Sequence, residues 1–126
     1  MRALQIVETA YRATLEEQDD PILWLTHSMR DAGADLCVLL TGNAVNYLVR
    51  GQDAGGLRFG HWEQTHPPAL LDDLAGLIAK GVPVYVMEDD LRRRGIASDD
   101  LLDGVTFLLH EDLPALFETC DRIWHW

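Results

Sequence analysis

Positive charge is scarce in this chain: 10 lysines and arginines stand against 21 aspartates and glutamates, a formal net charge of −11 over 126 residues. A field of that sign repels phosphate backbones and anionic lipid, which argues against a nucleic-acid or membrane-surface role. The one basic cluster, Arg92-Arg93-Arg94, closes an acid-led helix, where the helix dipole already accounts for it. Long apolar runs are missing too: none approaches the ~20 residues that a membrane span needs. The first residues, MRALQIVETAYR, carry neither the apolar core nor the cleavage site of a secretory signal, so a cytoplasmic protein is expected. Cysteine is limited to Cys37 and Cys120, which are expected as free thiols rather than a structural disulfide. Repeats, low-complexity tracts, the G-x-G-x-x-G and P-loop patterns and the H-E-x-x-H pair are all absent. No cofactor and no metal site are therefore expected.

What is present is an alternation of apolar runs and helical periods. An apolar fraction of 48% and a charged fraction of 25% suit one globular domain over 1–126, large enough to bury about two-thirds of its unfolded surface. Leu4–Val7 is a first strand, and Glu8 to Asp20 a polar loop. Asp20-Pro21 opens a helix, Asp as cap and Pro in the first turn, with Ile22, Leu25, Met29 and Ala32 at helical spacing up to Gly33. Asp35–Leu40 is a nearly continuous apolar strand, as expected where both faces of a sheet are covered. Thr41-Gly42-Asn43-Ala44-Val45 is a turn into a helix reaching about Arg50. Gly51 to Pro68 is irregular and carries His61, Trp62 and His66; the two histidines are expected to be solvated. Pro67-Pro68 opens a helix with Leu70, Leu71, Leu74, Leu77 and Ile78 on one face, closed by Lys80-Gly81.

Val82–Val86 is the next buried strand and runs into a short helix with Glu88, Asp89 and Asp90 at its start, the three arginines at its end and Gly95 beyond. Ser98 is expected to cap a turn through Leu102. Val105–Leu109 is a fourth strand, His110-Glu111-Asp112 leads a helix to about Thr119, and Asp121–Trp126 is a short aromatic strand. This order predicts an α/β, flavodoxin-like three-layer sandwich with a mostly parallel five-stranded sheet. Ligands of such sheets bind at the carboxyl ends of the strands. That points to a pocket of Thr41, Gly42 and Asn43 with Met87 and Glu88, the first three offering backbone N–H groups to an anion. Cys37, in mid-strand, is expected to be a small buried hydrophobe. Cys120 lies at a helix end beside Asp121, whose charge opposes a thiolate.

L-L-T-G-N-A-V after the second strand, K-G-V-P-V-Y-V before the central turn, L-R-R-R-G-I after it and the Asp-led aromatic terminus together resemble the DsrE/DsrF family. These are small α/β proteins of bacterial sulfur relay, with TusD-like and YchN-like members. The resemblance implies that a cysteine ends the third strand, eight residues before the glycine of R-R-G, and carries sulfur as a persulfide. Here that position is Met87, counted back from Gly95. A thioether has no proton to lose and cannot hold a persulfide. The expectation is a non-catalytic binding or structural partner in sulfur relay or sulfur oxidation, not an enzyme. The alternatives are a sulfurtransferase working on Cys120, and a small-ligand or anion-binding domain. The resemblance also implies a homo-oligomer, a trimer or hexamer, and sulfur-relay partners. The residues point the same way: Trp62 in an irregular loop and Trp124 and Trp126 in the last strand are aromatics placed to meet another subunit.

Overall fold

The computed structural model of the chain describes residues 1–11, 20–52 and 55–126. Its centre is a five-stranded sheet of β1 (Arg2–Val7), β2 (Asp35–Leu40), β5 (Val84–Met87), β6 (Thr106–Leu108) and β7 (Arg122–His125), in the spatial order β6-β5-β2-β1-β7. All four pairings are parallel, so the sheet is more uniform than the expected mostly parallel one. Among the described residues four helices, α1 (Pro21–Asp31), α2 (Leu70–Ala79), α3 (Glu88–Arg93) and α4 (Leu113–Glu118), complete the flavodoxin-like α/β sandwich.

Register decides which side chains face which layer. With Ala3 opposite Leu36 and Val38 opposite Val84, one set of alternating residues points to each face. Ala3, Val7, Leu36, Val38, Leu40, Val84 and Val86 pack under α1, α2, α3 and the segment between β2 and α2, in the larger core. Leu4, Ile6, Cys37, Leu39 and Met87 face the other way and meet Leu116 of α4 in a smaller one. Chain direction explains the asymmetry. β1, β2, β5 and β6 advance across the sheet in one direction, so right-handed crossovers put their helices on one face. Only the return from β6 to β7 crosses the other face, through α4.

Local chemistry places the elements. The Asp20 carboxylate accepts from the Ile22 N–H at 2.8 Å and the Leu23 N–H at 3.4 Å, capping α1 as expected. The expected helix after Thr41 is instead a 3-10 helix over Gly42–Leu48. Glycine and two asparagines are poor α-formers, and the Asn46 side chain takes the Asn43 carbonyl at 2.9 Å, which draws on the backbone for a tighter turn. α2 starts at Leu70 rather than at the proline pair. The strand expected over Val82–Val86 shifts to Val84–Met87, because Val82 donates back to Leu77 and Pro83 has no N–H to give. Ser98 is not a cap: a 3-10 turn over Ser98–Asp100 begins behind Ala97 and has no side-chain hydrogen bond at its start. The helix expected from His110 splits into a 3-10 turn, His110–Asp112, followed by α4. Within the irregular stretch a two-residue hairpin forms, β3 (Arg58–Phe59) with β4 (Trp62–Glu63). Most of the expected Glu8–Asp20 loop lies outside the described residues.

A buried polar network fastens the entry to α1. The Tyr47 hydroxyl donates to the second Asp20 oxygen at 2.6 Å and accepts from the Tyr11 N–H at 2.5 Å. Burial, with Asp20 beside it, pushes the Tyr47 phenol well above its usual value. Gln5, also fully buried, accepts from the Trp126 indole N–H at 2.7 Å and so ties the chain end to β1.

Candidate functional site

Leu40 and Val86 are register partners, so the turns after β2 and β5 meet at the carboxyl edge of the sheet. Gly42 takes the left-handed conformation there, with φ 54°, and an added Cβ would stand 3.1 Å from Glu8 Cγ. Its N–H donates to Asp90 Oδ2 at 2.9 Å. Asn43 Oδ1 accepts from Arg94 at 3.1 and 2.9 Å, and a third Arg94 nitrogen donates to the Asp90 carbonyl at 3.1 Å. The Thr41 N–H donates to the Val7 carbonyl. The turn expected to cradle an anion thus receives one from its own chain, the Asp90 carboxylate.

Met87 turns away from this edge. As the last residue of β5 it follows the register of Cys37 and Leu39 into the smaller core, where it is 2% exposed. Gly42 and Asn43 are therefore tied to α3 and its C-terminal residue Arg94, and Thr41 to β1, while Met87 packs under α4. Glu88 stands apart from all four. With Leu91, Arg92, Ile96, Ser98 and Phe107 it lines an open cleft of about 430 Å³. Arg92 there pairs with Glu88 at 3.3 Å and with Asp89 at 3.5 Å.

β5 and β6 are neighbours whose outgoing connections leave to opposite faces, the arrangement that opens a crevice in parallel sheets. Across it the His110 Nδ1 meets Asp89 Oδ2 at 3.0 Å. The sequence places both residues at helix starts and carries no sign of this contact. His61 is exposed, and His66 Nδ1 lies 3.0 Å from the hydroxyl of Thr65. Among the described residues no group of three His, Cys, Asp or Glu side chains converges on a point that could hold a metal ion. Among those same residues no helix is long and apolar enough to cross a membrane.

The two cysteines, 83 positions apart in sequence, are in contact: Cys37 Sγ lies 3.8 Å from Cys120 Sγ, and both are free thiols. Burial first, and Cys120 second, push the Cys37 thiol up to about 12. Cys120 is partly exposed, with its sulfur 3.5 Å from the Leu116 carbonyl oxygen and 3.6 Å from the Thr119 hydroxyl. No local pattern announces this pairing, since it follows from β7 lying beside β1.

The DsrE/DsrF-like family model matches residues 11–125. The crystal structure of the ychN protein from E. coli superposes with a TM-score of 0.74 at 24% identity, covering 100% of each chain. A protein of unknown function from Methanobacterium thermoautotrophicum, MTH1491, superposes with a TM-score of 0.67 at 14% identity, covering 99% of this chain and 98% of its own. At these identities the two likenesses establish the fold. No curated protein matches significantly.

Proposed function

The chain belongs to the DsrE/DsrF-like family, and from that premise we propose that it serves sulfur relay or sulfur oxidation as a non-catalytic binding or structural partner. The observation that carries this reading is Met87. It occupies the strand-end position that the family pattern gives to the sulfur-carrying cysteine, and its thioether is sealed in an apolar cluster with Leu4, Ile6, Cys37, Leu39 and Leu116. A thioether there can fill space but cannot form a persulfide. The backbone N–H groups and acids around it serve the fold: Asp90 takes the Gly42 N–H, and Glu88 and Asp89 pair with Arg92.

Partnership starts with other copies of the chain. The β3–β4 hairpin presents Phe59 and Trp62, 61% and 48% exposed, with ring centroids 5.9 Å apart and Leu57 exposed just before them. Rigid aromatics on a projecting hairpin favour burial against another surface, so a homo-oligomer, trimer or hexamer, is part of the proposal.

The deciding experiment is mass spectrometry after incubation with a sulfur donor, with Cys37 and Cys120 mapped separately. The partner role expects no sulfur retained on either. Stoichiometric sulfur on Cys120, lost in Cys120→Ser, would overturn it in favour of a sulfurtransferase.

A further inference from the structure

Away from the β5–α3 turn, two free thiols lie in contact beneath α4. We propose that Cys37 and Cys120 form a redox-active dithiol, closed to an intrachain disulfide when hydrogen peroxide oxidises Cys120. The inference is independent of the partner reading, because it involves neither Met87 nor transferred sulfur.

Position assigns the roles. Cys120 is partly exposed at the end of α4, where a small oxidant can reach it, whereas Cys37 is sealed at 0% exposure in mid-strand. Cys120 sulfur therefore attacks the peroxide, the O–O bond breaks, and Cys120 becomes a sulfenic acid while its thiol proton leaves with the displaced hydroxide as water. Cys37 sulfur then attacks the sulfenic sulfur, its proton leaving with the displaced oxygen as water. Two thiols and one peroxide become one disulfide and two waters.

The resolving step needs little motion. Closing from 3.8 Å to a bond of about 2.05 Å is a movement of roughly 1.8 Å, which falls to Cys120. Its strand partner is held by the sheet, but Cys120 lies just past a six-residue helix, between Thr119 and the start of β7. The bond would fasten α4 to the central strand β2, over the cluster that contains Met87.

The test treats the reduced protein with hydrogen peroxide, then alkylates it and analyses it by intact mass and peptide mapping without reductant. The expected result is loss of two hydrogens, both cysteines protected, a Cys37–Cys120 cross-linked peptide, full reversal by dithiothreitol and a raised Tm of the oxidised form. In Cys37→Ala, dimedone should capture a sulfenic acid on Cys120; in Cys120→Ser, Cys37 should stay reduced in the native protein. Wild-type protein that gains oxygen on Cys120 without the cross-link, forms only interchain disulfides, or does not react would overturn the proposal. The wild-type measurement stands even if a variant fails to fold.

Discussion

Replacing Tyr47 with phenylalanine removes one oxygen from the interior and nothing else. In the native chain that oxygen donates to Asp20 at 2.6 Å, and both residues are fully buried. Asp20 holds α1 with its other oxygen, through the Ile22 and Leu23 N–H groups, so the variant leaves half of a buried carboxylate without its donor. An orphaned buried acceptor costs about 1–3 kcal/mol, towards the upper end when it is charged. For 126 residues that corresponds to roughly 3–5 °C in Tm for each kcal/mol. Urea unfolding followed by circular dichroism at fixed protein concentration measures it, and a double-mutant cycle with Asp20→Ala isolates the pair. Asp20→Ala alone should lose the cap as well, about 1 kcal/mol more. If Tyr47→Phe unfolds within about 0.5 kcal/mol of wild type, the network is not what secures the α1 entry, and the reasoning is refuted.

Alkaline pH should destabilise the fold in two separable parts. The Cys37 thiol stays protonated in the fold up to about 12 but ionises from 9.0 when unfolded, so its contribution is complete below that value and is lost as pH rises, at about 1.4 kcal/mol per unit. Tyr47 acts in the same direction above its ordinary value of 10.0; Cys37→Ala and Tyr47→Phe should each flatten one part of the pH–stability curve measured by urea titration. Gly42→Ala should cost about 1–2 kcal/mol by thermal unfolding, because alanine at φ 54° is strained and its methyl group meets Glu8 Cγ at 3.1 Å. Trp62→Asp should lower the light-scattering mass from a multiple of 14.2 kDa towards one chain; wild type already at that mass would remove the hairpin interface.

The sequence alone determined whatever depends on neighbours along the chain. Unbroken apolar runs marked β2 and β5 as covered on both faces, Asp20-Pro21 marked the start of α1, and the acid-to-base run from Glu88 to Arg94 marked α3. Each signal lies within about one helical turn or one strand of the residue it places. It also identified the turns after β2 and β5 as the edge to inspect. Finer local competition was harder to see: Asn43 and Asn46 tighten their segment to a 3-10 helix through a bond that composition does not reveal. Only the tertiary structure decided how the turns are used. Gly42 meets Asp90 because β2 and β5 are paired, Met87 faces α4 because register fixes its side of the sheet, and Cys120 reaches Cys37 because β7 closes beside β1. Parallel pairing joins segments far apart in the chain, and it is strand order and register, not local periodicity, that choose which side chains then share a face.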